Sequence, residues 1–209
     1  GERLPKTAVR RGFAHSMKSG LSSAFGCRRY RRILINVCTV FFASIAFAAL
    51  LPLFVRDVLR LDSSTFGTLM GSLGAGAVMA AFLLPSLRMR FEKTTLLAGA
   101  LLVYGAMLML MPWITSLWLL VPLIVCGGMA WSAIVSTMNA AAQASFPQAI
   151  RARTLSIYLF VMAGGYALGS LVWGRIADNA GVRVAFALAG ACMVVNALVL
   201  ATRKHEHPI

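Results

Sequence analysis

Charge is scarce in this chain, and acidic charge scarcest of all. Of 209 residues, 12% are charged and 59% hydrophobic, against about 25% and about 45–50% in an ordinary soluble domain. Asp and Glu number 6 against 20 Lys and Arg, for a net charge of +14. A soluble fold of this size could not cover so much apolar surface, which excludes cytosolic enzymes, secreted disulfide scaffolds and disordered tails. The four cysteines, Cys27, Cys38, Cys126 and Cys192, lie far apart and form no CxxC pair, so neither a disulfide framework nor a zinc site is expected. Histidine occurs only at His15, His205 and His207. His205-Glu206-His207 reads as a solvated tail. No metal and no cofactor is expected.

Long stretches lack charge altogether. Runs free of Asp, Glu, Lys and Arg cover 33–55, 63–87, 94–150, 154–174 and 184–202. A helix needs about 20 apolar residues to cross a hydrocarbon core of about 30 Å. Four runs fit one crossing each. The run 94–150 fits two, with Met111-Pro112-Trp113-Ile114-Thr115-Ser116 as the turn. Proline ends a helix there, and Trp113 and Trp118 suit a membrane interface. The expected fold is an all-α membrane protein, a six-transmembrane-helix bundle with spans near 33–55, 65–87, 95–112, 118–144, 154–176 and 183–201. A basic segment, 1–32, precedes it and a tail, 202–209, follows.

Six crossings put both ends of the chain on one side. That side holds sixteen cations: Arg3, Lys6, Arg10, Arg11, Lys18, Arg28, Arg29, Arg31, Arg32, Arg88, Arg90, Lys93, Arg151, Arg153, Arg203 and Lys204. The other holds four: Arg56, Arg60, Arg175 and Arg183. The positive-inside rule then places both termini in the cytoplasm, in a cell inner membrane. It also accounts for the +14 without nucleic acid as a partner. Residues 1–9 read as a linker. Residues 10–32 fit either an interfacial amphipathic helix, with Phe13, Met17, Leu21 and Phe25 at i, i+4 spacing, or a solvated basic loop. The pattern is not that of a signal peptide. The chain opens on Gly1 rather than Met, as a processed or partial chain would.

Within the uncharged runs, serines have no base to activate them. Intramembrane hydrolysis needs a nucleophile with its base, paired aspartates or a liganded metal, so no enzyme is expected. Gly71-Ser72-Leu73-Gly74-Ala75-Gly76 is GxxGxG inside a span, with no strand before it, and reads as helix packing rather than a nucleotide loop. Gly67 and Gly71, with Gly74 and Ala75 a turn on, and Gly165 and Gly169 follow the spacing that lets membrane helices approach closely. These mark the second and fifth spans, each the middle of a group of three. Two groups of three have opposite topology, as in the inverted repeat of many transporter halves.

Polar residues also fall in stripes. Span 4 has Ser132, Ser136, Asn139 and Gln143 on one face, with Trp131 beside them. Span 5 has Tyr166, Ser170 and Trp173, with Ser156 and Tyr158 near its inner end; span 1 has Asn36 and Thr39 near its inner end, and Phe42 and Phe47 deeper. Two readings stand: an aromatic-bordered path for a small-molecule solute, or hydrogen-bonding glue between helices worth about 0.6 kcal/mol per contact.

Three stretches carry a family resemblance. Leu50-Leu51-Pro52-Leu53-Phe54-Val55 precedes Phe66-Gly67-Thr68-Leu69-Met70-Gly71. Met138-Asn139-Ala140, Gln143, Pro147, Arg151-Ala152-Arg153, Ser156, Ile157 and Tyr158 form a second set. Gly174-Arg175-Ile176-Ala177-Asp178-Asn179-Ala180-Gly181-Val182-Arg183 resembles the Gly-x3-Asp-x2-Gly-x-Arg loop of the major facilitator superfamily. Nearly the whole chain resembles the C-terminal half of such a transporter, spans seven to twelve, in the enterobactin-exporter-like or transmembrane secretion effector branch. The match departs after the second span, where Met89 stands in place of the loop motif's Asp and Glu92 in place of its Gly.

In the third stretch Gly181 permits a tight turn, and Asp178 is placed to cap the next helix or to pair with Arg175 or Arg183. The resemblance implies a 3+3 inverted repeat and efflux by alternating access. It implies a lipid environment, a small-molecule solute, and a missing N-terminal six-span bundle as partner, with spans 1, 2, 4 and 5 on the cavity and 3 and 6 outside. Proton coupling needs an ionisable group within the membrane, which would then belong to the other bundle. Two alternatives are a self-associating six-span pore or transporter and a non-transporting membrane scaffold.

Overall fold

Proline and glycine mark several of the turns and irregularities in the helices. The structure, a computed structural model, describes residues 28–144 and 148–206; the linker and most of the segment read as an interfacial helix or loop lie outside the described residues. Helix α1, Arg28–Leu53, continues as a π-helical stretch, Phe54–Leu59. Pro52 has no N–H to donate and its ring crowds the carbonyl one turn back, and the coil widens two residues later. Arg60 closes it in the left-handed conformation, with φ 56°. The Leu61 N–H returns to the Val55 carbonyl at 3.1 Å.

Helix α2, Ser63–Arg90, ends at the extended residue Phe91. Helix α3, Lys93–Leu110, tightens into a 3-10 turn, Met111–Trp113, at Pro112. Helices α4, Leu117–Ala144, α5, Gln148–Ala180, and α6, Val182–Glu206, complete the chain. Between α5 and α6 the corner is a single residue, Gly181, with φ 91°. Its N–H bonds the Ala177 carbonyl at 2.9 Å, and its carbonyl accepts from the Ala185 N–H at 3.2 Å. A side chain at that φ would be strained.

Among the described residues six stretches are long and apolar enough to cross a membrane: Tyr30–Leu59, Ser63–Arg90, Lys93–Trp113, Leu117–Ala144, Thr154–Ala180 and Val182–Thr202. They coincide with the six expected spans but overrun them. Arg28, Arg31 and Arg32 form the first turns of α1 instead of closing a separate basic segment, and α6 carries on to Glu206. A 28-residue helix such as α2 is about 42 Å long, so its ends project into the polar headgroup zone, where charge is tolerated and the helix need not stop.

The contacts obey the inverted repeat. Helix α1 packs along α5, α2 along α4 and α3 along α6; α1 also meets α6, and α3 meets α4. Exchanging α1-α2-α3 with α4-α5-α6 turns the first pairing into the second, turns α1 with α6 into α4 with α3, and leaves α3 with α6 unchanged. Each main pairing contains glycine at close approach. A Cβ added at Gly105 of α3 would lie 3.0 Å from the Gly190 carbonyl of α6, and one at Gly190 would lie 2.6 Å from the Gly105 carbonyl. Gly76 of α2 abuts the backbone of Val125, and Gly128 of α4 that of Leu73. Helix α1 is the most enclosed, with Val37, Phe41, Phe47, Leu50, Leu51 and Phe54 all buried. Helices α2 and α5 present Val78, Phe82, Phe160 and Leu171 outward, as lipid or another apolar surface requires.

Candidate functional site

Four helices meet at a cluster of aromatic rings. Phe41 of α1 takes Trp131 of α4 edge-on at 5.4 Å and Tyr166 of α5 edge-on at 5.2 Å. Tyr104 of α3 lies tilted against Trp131 at 5.5 Å, and its hydroxyl donates to the Ser44 carbonyl of α1 at 3.3 Å. Such ring pairs contribute about 0.5–1.5 kcal/mol each beyond area burial. Trp131 and Tyr166 were expected at a site; Phe41 and Tyr104, which join them, were not. Phe41 stands next to Phe42 in an apolar run, and nothing in sequence distinguishes the ring that faces the centre from its neighbour.

Several residues expected along a solute path instead bind helices together. The indole Nε1 of Trp173, buried on α5, donates to the Phe42 carbonyl of α1 at 2.7 Å, and the two rings are 5.3 Å apart. Gly169 and Gly165 admit this approach: a Cβ at Gly169 would overlap the Phe42 carbonyl oxygen, and one at Gly165 would lie 3.0 Å from that of Cys38. Thr39 donates to Asn196 Oδ1 of α6 at 2.7 Å, and Asn196 Nδ2 donates to the Cys192 carbonyl at 2.8 Å. Asn36 is half-buried, one turn before Val40.

Tyr30 of α1 donates to the Thr154 carbonyl of α5 at 2.5 Å. One turn further along α5, Tyr158 is fully buried, and its hydroxyl has no partner among the described residues; nor has Thr137 Oγ1. Thr39, Phe42, Tyr158 and Trp173 thus sit between packed helices, as the reading of such residues as glue between helices expects. In a medium without water, an indole N–H such as that of Trp173 is satisfied by the nearest carbonyl.

The stripe on α4 is different. Ser132, Ser136 and Asn139 are half-buried and Gln143 is exposed. Ser136 donates to the Ala133 carbonyl at 3.2 Å and accepts from Arg88 Nη2 of α2 at 2.9 Å. Arg88, just beyond the expected second span, belongs to the last turn of α2. On α5, Ser170 donates back to its own Ala167 carbonyl at 2.9 Å.

The glycine pairs separate as well. Gly165 and Gly169 pack against α1, whereas a Cβ at Gly67 or Gly71 would meet nothing within 4 Å. Within this bundle the close approach of α2 is made by Gly76, on the other side of the helix, and Gly67 and Gly71 face open space. Of the loop motif, Gly181 makes the expected turn. Gly174 has open space around it, and Asp178 is exposed in the last turn of α5. Asp178 neither caps α6 nor pairs with Arg175 or Arg183, because α5 runs on to Ala180 and leaves the cap position to Gly181.

Among the described residues the ion pair is Arg56–Asp57 at 2.6 Å, on the surface. Arg183 lies over the Trp113 ring at 5.7 Å and ties the α5–α6 corner to the α3–α4 turn. Arg151 and Arg153, expected in a loop, fall on the first turns of α5, since that helix starts at Gln148; their side chains lie outside the described residues.

Six apolar helices, paired in an inverted-repeat pattern around an aromatic centre with a polar stripe at its flank, define a multi-pass membrane protein of the major facilitator type. A family model described as transmembrane secretion effector matches residues 2–207, and the chain belongs to that family. No curated protein and no solved structure matches it. Membership makes it a membrane transport protein, set in lipid and concerned with small solutes.

Proposed function

We propose that this chain is the C-terminal bundle of a twelve-span exporter, which moves a small solute outward by alternating access against a second six-span bundle seated on α2 and α5. The observation that carries this reading is the open glycine face. Gly67, Gly71 and Gly74 of α2 and Gly164 of α5 have nothing within 4 Å of a would-be Cβ. Gly76, Gly105, Gly128, Gly165, Gly169 and Gly190 lie where helices touch, and Gly99 of α3 and Gly174 of α5 are open singly. Glycine in a helix costs about 1 kcal/mol relative to alanine, and close approach by another helix is the compensation membrane proteins obtain for it.

The solute path in this reading runs along Ser132, Ser136 and Asn139, bordered by Trp131 and Tyr166. The uneven distribution of cations supports a cytoplasmic location for both termini, in a cell inner membrane. Asp57, Asp62, Glu92 and Asp178 are all at or near helix ends, which supports placing any proton-coupling carboxylate on the second bundle.

Two experiments test the proposal. Asn139→Ala and Tyr166→Ala, made in the complete transporter at matched expression, should lower solute flux in inverted vesicles; unchanged flux would favour a scaffold. Coding DNA upstream should specify six further spans in frame. Proton-coupled transport by vesicles carrying residues 1–209 alone would instead identify a self-associating transporter.

A further inference from the structure

Tyr30, in the first turn of α1, is fully buried, and its hydroxyl reaches the Thr154 carbonyl of α5 at 2.5 Å. That bond fixes the start of α1 against the bundle. The next two residues, Arg31 and Arg32, are exposed, and Ile35, one turn further along the same face, is 54% exposed. Cations above an open apolar side chain match the order of a bilayer edge, headgroup first and acyl chain beneath. The chain therefore enters the bundle at headgroup level.

What leads up to Tyr30 is one-sided in charge. Residues 10–32 hold seven Lys and Arg and no acid; the nearest acids in sequence are Glu2 and Asp57. Phe13, Met17, Leu21 and Phe25 recur every fourth residue, and Ser19 falls opposite them on a helical projection. A loop solvated on all sides gains nothing from four large apolar side chains in one register, whereas against a leaflet each removes apolar area from water. Cations clustered directly beside a membrane helix are drawn to anionic lipid, about fivefold in affinity for each. Resting on the cytoplasmic placement above, we infer that residues 10–32 bind anionic phospholipid of the inner leaflet. The cations meet lipid phosphate, the stripe from Phe13 to Phe25 meets acyl chain, and Arg31 and Arg32 form the fixed end of that surface.

The test places a dye on the stripe of the full chain in nanodiscs. Leu21→Cys is made with Cys27, Cys38, Cys126 and Cys192 replaced by alanine, and the new thiol carries a nitrobenzoxadiazole label. Nitroxide lipid in the disc quenches a label that touches it. Quenching should be strong in equimolar phosphatidylcholine and phosphatidylglycerol, and raising salt from about 0.05 to about 0.5 M should weaken it. Phosphatidylcholine alone should give little, and a label at Ser19→Cys should stay unquenched in both. At the salt concentration that half releases the segment, Arg10→Gln, Arg11→Gln and Lys18→Gln together should lower the bound-to-free ratio about a hundredfold.

Equal quenching with and without phosphatidylglycerol overturns the anionic partner. No quenching in either disc makes the segment a solvated basic loop and overturns the inference, and quenching at Ser19 as strong as at Leu21 overturns the one-sided contact. Should the cysteine-free chain not fold, the unmodified chain serves: trypsin should cut at Arg10, Arg11 and Lys18 more slowly in phosphatidylglycerol discs than in phosphatidylcholine discs, and equal rates overturn the binding. A disc has the same lipid on both faces, so these results depend neither on transport nor on the side of the cell membrane. An impermeant maleimide that labels Leu21→Cys from outside spheroplasts would overturn the cytoplasmic placement and leave the lipid contact standing.

Discussion

Gly67–Gly71 on α2 and Gly165–Gly169 on α5 have the same spacing, sit on the middle helices of the two repeats, and meet opposite surroundings. The α5 pair presses on the backbone of α1 around Cys38 and Phe42, whereas the α2 pair faces open space. Helix α2 makes its own close approach through Gly76, to Val125 of α4. A small-residue pair thus marks a face where a helix can come close, and the partner need not belong to the same bundle.

The comparison is most sharply broken by bulk. Gly169→Leu should drive a side chain into the Phe42 carbonyl and Ile45, lowering stability by about 3 kcal/mol or more, since overpacking typically costs about 1–3 kcal/mol and here the obstacle is backbone. Thermal unfolding in detergent reads the loss, and Gly67→Leu in the same assay should show none. Smaller insertions sharpen the contrast. Gly76→Ala and Gly128→Ala should each lower stability by about 2 kcal/mol, because each new methyl overlaps the facing backbone.

Gly71→Ala should instead raise the stability of the isolated chain by up to about 1 kcal/mol through helix propensity. In the complete transporter it should lower flux, if a second bundle seats there. The smallest effects distinguish two buried phenols. Tyr30→Phe removes the bond to the Thr154 carbonyl and should cost about 1 kcal/mol. Tyr158→Phe removes a hydroxyl without a partner and should leave the unfolding midpoint unchanged or slightly raised.

Much of this architecture was legible from residue order. The uncharged runs located all six crossings, and Pro112 and Gly181 marked two of the turns. The position of the glycine-rich spans in each group of three anticipated the inverted repeat. Of the candidate path, Trp131 and Tyr166 both meet the Phe41 ring, and Ser132, Ser136 and Asn139 are half-buried along one stripe of α4. Thr39, Phe42, Tyr158 and Trp173 lie between packed helices, where their environment depends on which helix lies opposite. Thr39 finds Asn196 and Trp173 finds the Phe42 carbonyl, partners more than 100 residues away in the chain that no local spacing identifies. Arg88 lies beyond the charge-free run 63–87 yet belongs to the last turn of α2, because a helix can continue past the end of its apolar stretch.

Residue order alone determined how many helices cross the membrane, since crossing depends only on apolar length against a hydrocarbon layer of about 30 Å. It determined the breaks at Pro112 and Gly181 too, because proline and glycine act on their own backbone. Only the tertiary structure decided which face of each helix meets another helix and which stays open. Lipid is as apolar as the side chains between helices, so hydrophobicity does not distinguish the two faces; steric fit and hydrogen bonding between distant residues do.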